Sequence, residues 1–487
     1  MNTSSSTESS RIRATLKHPI VDADGHIIEL MPVLMDYLHQ IGGRDMVEAL
    51  ERDVFKPFYD VQTTPAAVRK DRGIQMQGWW ALPTKNSLDR ITVSLPRLLY
   101  ERLGEMGIDY SVLYPTFGLI FDTLCFLPSK ELRRATLRAY NTYVAELFGD
   151  RAYADRMTPV AIIPMYTPQE AIEEMEYAVN TLGLKSVMVH GYARRSVPEL
   201  ARRYPDLKYH ADRLDTFGLD SDYDYDPVWA KFQELKLSPS FHSQGYGWGS
   251  RRSPTNFTYN HIGQFASAQE ALAKSLFLGG VTKRFPDLRF AFLEGGVAWA
   301  SNLYADLVGH WQKRSTKAVY EYTDPALLDI ALLSRMTEQY GSGRILSNLD
   351  AVKASYATLP QAPRPDTWDD FEKCGITCVE DIRALFVDKF FFGCEADDPM
   401  NALAFDKRVN PLGASLRPVL GSDIGHFDVL DMTSVLAEAY EMLEHGLCSE
   451  EDFRDFVFAN PVRLYGQLNR DFFKGTVVEK AAAAVLG

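Results

Sequence analysis

We predict an α/β fold for this chain: a (β/α)8 barrel with long insertions in the loops of its catalytic face. Eight short apolar runs recur along the 487 residues, and most of them are followed by stretches with helical spacing of apolar side chains. Metal-binding types of side chain stand at the ends of several runs. Strands alternating with helices form a parallel sheet, and eight strands close it into a barrel of the TIM type.

The eight runs have the length of buried parallel strands, and none alternates strictly between polar and apolar residues. They are HPIVDAD (18–24), DYSVLYPT (109–116), TPVAIIPM (158–165), LKSVMVH (184–190), LSPSFHS (237–243), LRFAFLEG (288–295), KFFFGCE (389–395) and RPVLGSD (417–423). Helical patterns lie at 129–149, 168–182, 228–236, 266–285 and 432–446. An open doubly wound sheet is the competing fold. It would need a glycine-rich phosphate loop after the first run, and no such loop follows Asp24.

We expect a single domain that the insertions enlarge. Residues 18–475 form the barrel, with insertions at about 31–107 and 300–388, while residues 1–17 and 476–487 are expected to be flexible tails. Loops that follow barrel strands lie on the catalytic face, so long insertions there build a lid or a pocket wall. Packing or oligomerisation is the alternative role for the 300–388 insertion.

Composition excludes several classes of protein. With 46% hydrophobic and 24% charged residues the chain is too apolar to be disordered, and its net charge of −13 argues against a nucleic-acid binder. No apolar run reaches the roughly 20 residues that span a bilayer. The five cysteines form no disulfide framework, and the N-terminus lacks the apolar core of a secretory signal. We therefore expect a cytoplasmic protein whose partner is a small-molecule substrate, with no nucleic-acid or membrane partner.

Carboxylate and imidazole side chains follow many of the predicted strands. They are Asp24, His26 and Glu29 after the first strand, His190 after the fourth, His242 after the fifth, Glu294 after the sixth, and Asp423 and His426 after the eighth. Each one alone has an ordinary explanation, as a core histidine or a helix-capping carboxylate. A barrel, however, brings its strand ends together above one axis. Imidazoles and carboxylates without thiolates are the donors that a divalent first-row metal prefers, so we predict a metal site.

Four motifs of this sequence resemble one enzyme family. DADGH, FHSQG, RFPDLRFAFLEGGVAW and GSDIGHFD are similar to the amidohydrolase-related branch of the amidohydrolase superfamily, which includes aminocarboxymuconate semialdehyde decarboxylase and related decarboxylases. The stretch FVFANPVRLYG is similar to the closing helix of that group. The resemblance covers roughly residues 18–475. It implies a metal-dependent TIM barrel, with a homodimer as the expected assembly.

The ligand set that the resemblance implies is changed at two positions. The family usually has H-x-H on the first strand, where this sequence has Asp24 and His26. His242 matches the histidine ligand of strand five, and Asp423 matches the aspartate of strand eight that binds metal or acts as a general base. Glu294 stands where the family usually has a histidine that acts on substrate or binds a second metal. The resemblance is therefore to a carboxylate-rich subgroup.

These changes affect which metal the site prefers. A carboxylate in place of an imidazole makes a site harder and more negative, which favours iron, manganese or magnesium over a histidine-rich zinc site. We predict one or two divalent ions (Fe, Mn or Zn) per chain. A dinuclear site with Glu294 or Asp423 bridging is one interpretation of the many donors, and positioning roles for some of them are the other. Further candidate ligands are Glu29, His190, His261 and His426, and the candidate catalytic residues are Asp423, Glu294 and His190.

Residues of the loops expected at the barrel mouth are candidates for binding substrate. Arg194 and Arg251 suit a carboxylate, which the guanidinium group binds with two parallel hydrogen bonds, although both are equally consistent with ordinary surface arginines. Trp79, Tyr246 and Trp248 suit an apolar or aromatic body. We therefore expect a small organic acid or its conjugate as the substrate.

Three functions are consistent with such a site. The first is hydrolysis or decarboxylation by metal-activated water or a metal-held carboxylate, and this is the function we expect. The second is a non-haem dinuclear iron (or iron/manganese) monooxygenase that hydroxylates an unactivated carbon, as the resemblance to carboxylate-rich members implies for Asp24, Glu29 and Glu294. The third is a barrel that serves only as an assembly subunit. The full set of ligands argues against this third function.

Overall fold

All eight predicted strands are present in the computed structural model, which describes residues 6–78, 86–126, 129–205, 212–245, 247–359 and 369–487. They are β1 (Val21–Ile27), β2 (Tyr110–Pro115), β3 (Met157–Pro159 continuing as Ala161–Ile163), β4 (Val187–Val189), β5 (Pro239–Phe241), β6 (Phe290–Phe292), β7 (Phe390–Glu395) and β8 (Pro418–Gly421). All neighbouring strands from β1 to β8 pair in parallel.

The sheet closes into a barrel at two places where the regular pairing is interrupted. At Val160 the third strand changes partner: its first half pairs with β2 and its second half with β4. At the other junction the backbone N–H of Asp423, just after β8, donates to the carbonyl oxygen of Asp24 in β1 over 3.0 Å. Since β8 thus meets β1, the predicted (β/α)8 barrel is confirmed.

The strands of the barrel wall are short, and their side chains are buried on both faces of the sheet. Aromatic residues dominate one side of the wall: the ring of Phe241 stacks on that of Phe292 at 5.6 Å, and Phe292 stacks on Phe392 at 6.0 Å. All three are fully buried. Their burial accounts for the absence of polar alternation in the sequence of these strands.

Helices cover the outside of the barrel. The five predicted helical stretches are helical, but 266–285 is divided into Gln264–Leu278 and Val281–Arg284, and 168–182 continues after Glu176 as a π-helix, Tyr177–Thr181. The helices that follow the strands are Lys130–Leu147, Pro168–Glu176, Asp226–Glu234, Gln264–Leu278, Ala298–Arg314, Val379–Phe386, Val435–Glu444 and Asn460–Gly466. Their starts follow local capping rules. The Ser129 hydroxyl accepts a hydrogen bond from the N–H of Leu132, and Thr167 caps the helix whose first residue is Pro168.

The two long insertions are helical. The first contains the helices Met31–Gly42, Arg44–Leu50, Lys56–Thr63, Ala66–Arg72, Ser87–Thr92 and Pro96–Arg102. The second contains Thr316–Ala318, Ile330–Tyr340, Arg344–Ser347 and Leu349–Tyr356, and the last three of these helices bury no side chain. The homodimer that the sequence suggests stays a prediction.

The described residues at both chain ends are partly helical, where the sequence predicts flexible tails at 1–17 and 476–487; residues 1–5 lie outside the described residues. Glu8–Thr15 is a helix because Thr7 caps it and Arg13 forms an ion pair of 2.5 Å with Asp109. The helix Glu479–Leu486 packs at the other end, where Leu486 lies against Gly466. Polar composition does not reveal the contacts that hold this helix, which include the Thr7 cap, the ion pair of Arg13 and the hydrogen bond from the N–H of Ala437 to the Ser9 hydroxyl.

A two-stranded antiparallel hairpin, Ala193–Ser196 with Asp212–Asp215, follows β4 on the face where the strands end.

Among the described helices none combines the length and apolar character needed to cross a membrane.

Candidate active site

The carboxyl ends of β1, β5, β6 and β8 bring together most of the side chains that the sequence nominates as metal ligands. Two overlapping groups have ligand atoms within 4.8 Å of one another. The first consists of His26, Glu294, Asp423 and His426, and the second of Asp24, His26 and His242. His26 belongs to both groups, so they form one continuous polar cluster at the centre of the barrel mouth.

His26 is oriented by a backbone contact. Its Nδ1–H donates to the carbonyl oxygen of Pro115 over 2.9 Å, which leaves the lone pair of Nε2 directed into the cluster. Nε2 lies 3.5 Å from Asp24 Oδ1 and 3.4 Å from Asp423 Oδ1. One nitrogen lone pair binds one ion, so a second ion in the cluster would have to depend on other donors.

His242 and Glu294 are positioned as a pair by one side chain behind them. The amide nitrogen of Gln269 donates to the carbonyl oxygens of Phe241 (3.0 Å) and Leu293 (3.2 Å), the residues that precede the pair. His242 Nε2 and Glu294 Oε2 are 2.7 Å apart. Gln269 thus fixes the ends of β5 and β6 relative to each other, and with them these two candidate ligands.

Two of the carboxylates stand on unusual backbone. Glu294 has a φ of 57° and Asp423 a φ of 49°, the left-handed region that side-chain-bearing residues rarely adopt. Such a conformation costs of order 1 kcal/mol, and residues that carry this cost cluster at functional sites. Here the turn places each carboxylate in the cluster immediately after its strand ends.

Asp423 also forms part of a chain of polar contacts that leaves the cluster. Its Oδ1 lies 2.5 Å from His426 Nδ1, and His426 Nε2 lies 3.2 Å from the hydroxyl of Thr116. Burial, together with the charges of Glu294 and Asp428, raises the pKa of Asp423 well above its usual range. Burial lowers the pKa of His426 to about 3. Burial thus disfavours the charged form of both partners.

The electrostatics of the cluster fit a bound divalent cation. Burial raises the pKa of Asp24 and of Glu294 well above the ordinary range, and it lowers the pKa of His26. No described arginine or lysine forms an ion pair with Asp24, Glu294 or Asp423. Asp24 Oδ1 and His26 Nε2 are buried and have no hydrogen-bond partner among the described residues. Buried polar atoms of this kind need a partner, and a metal ion would supply the missing positive charge.

Asp22 lies in β1 two residues before Asp24, and its hydrogen bonds hold the strands that carry the candidate ligands. The sequence did not single it out as a functional residue. Its carboxylate accepts from the hydroxyls of Ser111 (2.6 Å) and Ser422 (2.8 Å) and from the N–H groups of Ser422 (3.0 Å) and Asp24 (3.2 Å). It therefore ties β1, β2 and β8 together beneath the ligands. The β1–β2 register shifts between Asp22 and Gly25, where β1 bulges. The sequence signal that could have indicated Asp22 is the first aspartate of DADGH, a charged residue inside the first of the apolar runs.

Replacing Gly25 with alanine should destabilise the protein. A Cβ at this position would stand 2.4 Å from Asp22 Oδ2 and 2.6 Å from the Ser111 hydroxyl. Asp22 would have to move and give up hydrogen bonds, so we expect a loss of about 1–3 kcal/mol in the free energy of unfolding. Urea denaturation checks this. The control is Gly309→Ala, where a Cβ meets nothing within 4 Å and no loss is expected. Equal stability of the two variants would contradict the role of Asp22.

The other candidate ligands lie outside the two groups. Glu29 is buried, and its carboxylate accepts from the N–H groups of Phe117 (2.8 Å) and Gly118 (2.9 Å), which orders the loop after β2. Burial raises the pKa of Glu29 to about 7. His190 is buried directly after β4, with its ring 5.0 Å from that of Tyr192.

His261 ends the helix Phe257–His261 and stacks on the ring of Phe257 at 5.0 Å. Burial lowers the pKa of His261 to about 4. Its ligand role, like those of Glu29 and His190, stays a prediction.

The arginines expected to bind substrate make contacts within the protein. Arg194 lies 3.5 Å from Asp212 across the hairpin, and Arg251 donates to the carbonyl oxygen of Gly263 over 2.9 Å. Trp248 packs edge-on against Tyr192 at 4.9 Å. Tyr192 in turn lies against His190, so Trp248 belongs to an aromatic wall beside the site. Trp79 and Tyr246 lie outside the described residues.

Comparison with known proteins gives a family match for half of the chain and a structural match for nearly all of it. Residues 129–373, half of the chain, match the family model described as amidohydrolase. The structure aligns with that of an amidohydrolase from Mycobacterium avium subsp. paratuberculosis with a TM-score of 0.53 and 18% sequence identity, covering 93% of this chain and 100% of the other. This likeness agrees with the barrel fold.

Two decarboxylase structures align at lower TM-scores. The 5-carboxyvanillate decarboxylase of Sphingomonas paucimobilis has a TM-score of 0.47 at 12% identity, covering 92% of this chain and 98% of its own. The dihydroxybenzoic acid decarboxylase of a Polaromonas species, solved with bound manganese and an inhibitor, has a TM-score of 0.44 at 13% identity, covering 94% and 99%.

Proposed function

The chain belongs to the amidohydrolase family, and from that premise we propose that it is a metal-dependent enzyme that decarboxylates or hydrolyses a small organic acid or its conjugate. The contact of 2.5 Å between Asp423 Oδ1 and His426 Nδ1, at the edge of the candidate metal ligands, carries the proposal. A carboxyl group beside an imidazole can take up and release a proton, and both reactions move a proton.

The candidate ligands have two proposed roles, metal binding and proton transfer. Asp24, His26 and His242 would hold an ion, with Asp423 and Glu294 beside them. A divalent ion bound there would polarise a carboxyl or carbonyl oxygen and lower the pKa of adjacent water. In hydrolysis, Asp423 takes a proton from the attacking water and passes it to the leaving group. In decarboxylation, the same carboxylic acid gives its proton to the carbon from which carbon dioxide departs.

A product analysis under nitrogen tests the proposal and separates its two branches. Protein loaded with Mn²⁺, Fe²⁺ or Zn²⁺ is incubated with aromatic and aliphatic acids and with their amides and esters. Headspace carbon dioxide and liberated acids are then measured. We expect turnover that a chelator removes and added metal restores. Release of carbon dioxide identifies a carboxy-lyase, and release of acid from an amide or ester identifies a hydrolase. Turnover that is indifferent to metal would contradict the proposal.

A second candidate function is supported by the two overlapping groups of donors. Because His26 Nε2 can serve only one ion, Glu294, Asp423 and His426 would remain for a second. A carboxylate-rich pair of sites favours iron or manganese, as in a dinuclear iron (or iron/manganese) monooxygenase. Metal analysis after expression without added zinc distinguishes the candidates. Two irons, or iron plus manganese, with oxygen-dependent turnover support the oxygenase. One zinc with activity under nitrogen excludes it.

A further inference from the structure

The second insertion carries three short helices whose main contacts, among the described elements, are with one another. They are Ile330–Tyr340, Arg344–Ser347 and Leu349–Tyr356, and we call residues 325–359 the arm. None of the three helices buries a side chain, and the longest has 11 residues. Helices of this length are marginal in water without an apolar face to bury, so the arm needs further packing to be stable.

Within the arm, the helix Ile330–Tyr340 packs one face on the helix Leu349–Tyr356. The hydroxyls of Thr337 and Tyr356 lie 2.7 Å apart across this contact. Thr337 is half-buried, and so is Leu333 one turn before it. Consecutive residues of a helix point about 100° apart, so the side chains directly before these two face away from the contact.

Exposed apolar side chains follow that other side of the helix. They recur at every fourth residue, which places them in one row: Leu332, Met336 and Tyr340. The segments next to the helix add Leu327, Leu328, Ile345 and Leu346. A Cβ at Gly341, directly after the helix, would lie 3.1 Å from Ile345 and Leu346, so the row continues into them. We call these seven side chains the apolar patch. A contiguous patch of this kind marks an interaction site.

The apolar patch is large enough for a stable interface. Its seven side chains are between 38% and 74% exposed. Together they present on the order of 700 Å² of surface, against the roughly 800 Å² per partner that stable interfaces bury. The arm alone therefore supplies most of the surface that one protein contributes to such an interface.

The charge of the arm favours a second copy of this chain as its partner. The whole chain has a net charge of −13, so two copies repel each other over most of their surface. The arm is neutral, because its three acidic side chains are balanced by three basic ones: Asp329, Glu338 and Asp350 against Arg335, Arg344 and Lys353. Two copies can approach at the arm without that repulsion, and an apolar patch is complementary to itself.

We propose that the arm is a dimer interface, in which the apolar patch packs on the same patch of a second copy of this chain. A two-fold axis then passes beside Leu332 and Met336, in the middle of the patch. Rows of side chains at four-residue spacing interdigitate in the commonest class of helix packing, which suits two antiparallel copies of Ile330–Tyr340. The dimer also buries the apolar face that the arm needs to be stable.

Sedimentation velocity of the full chain over a concentration series tests this interface. We expect the wild type to be a dimer at micromolar concentration. For Leu332→Glu and for Met336→Glu we expect the dissociation constant of the dimer to rise at least about 100-fold, because each copy would bury an unpaired charge. The control is Leu447→Glu outside the arm, since Leu447 is 46% exposed and Leu332 43%. This control should leave the dissociation constant unchanged.

Hydrogen exchange of the wild type makes the test independent of whether the variants fold. The amides of Ile330–Tyr340 should exchange faster after dilution to the monomer, while those of the barrel strand Phe390–Glu395 should not change. A wild type that is monomeric at micromolar concentration overturns the proposal. So does a dimer that Leu332→Glu and Met336→Glu leave intact. Protection of Ile330–Tyr340 that does not depend on concentration also overturns it, because the patch is then covered by something other than a second copy.

Discussion

Replacing His242 with alanine should leave the barrel folded and remove most of the bound metal. His242 is fully buried, and its Nε2 lies 2.7 Å from Glu294 Oε2 at the centre of the cluster. Loss of an imidazole ligand removes one of few strong donors, so we expect metal affinity to fall more than about 100-fold, beyond the 10- to 100-fold that outer residues cost. Metal content per chain after dialysis, measured by mass spectrometry, checks this.

The control for this variant is His310→Ala. His310 is an exposed residue of the helix Ala298–Arg314, where its Nδ1–H donates to the carbonyl oxygen of Asp306 over 2.7 Å. Circular dichroism of both variants separates loss of metal from loss of fold. Full metal occupancy in His242→Ala would show that convergence of the strand ends does not create the metal site.

Replacing Asp423 with asparagine should abolish most activity and leave the fold intact. Asparagine has nearly the same shape as aspartate but cannot take up or release a proton beside His426, whose Nδ1 lies 2.5 Å from Asp423 Oδ1. General acid–base catalysis contributes about 10²- to 10⁴-fold, and we expect kcat to fall by that factor. The measurement is kcat at saturating Mn²⁺, with the acid that the wild type turns over most rapidly.

Two further variants interpret this result. His426→Gln removes the partner in the pair and should lower kcat less, because Asp423 still carries the proton. Asp471→Asn makes the same chemical change at an exposed position and should leave kcat unaltered. If Asp423→Asn binds metal fully and keeps kcat within about threefold of the wild type, Asp423 does not transfer the proton.

The barrel and the convergence of the main candidate ligands follow from the sequence because their signals are local. Each strand is a short apolar run. Asp24 and His26 lie in the second half of β1, and His242, Glu294 and Asp423 stand one or two residues beyond the ends of β5, β6 and β8. Since parallel strands in a closed barrel end around one axis, position in the sequence was sufficient to bring these five side chains together.

Other features depend on backbone geometry and on distant contacts, which composition does not encode. The left-handed turns at Glu294 and Asp423 and the bulge beside Gly25 are conformations of the folded chain. The role of Asp22 comes from partners far away in the sequence, such as Ser422. The hydrogen bonds from the N–H groups of Phe117 and Gly118 to Glu29 are likewise contacts between distant parts of the chain, and the ligand role of Glu29 stays a prediction.

Anomalous X-ray diffraction from crystals grown with Mn²⁺ tests the central claim most directly, because it locates the metal without reference to activity. The account predicts a peak among Asp24, His26 and His242, about 2.0–2.3 Å from His26 Nε2. A second peak beside Glu294 and His426 would support the dinuclear arrangement. Manganese bound only elsewhere on the protein, with the cluster around His26 holding none, would contradict the account.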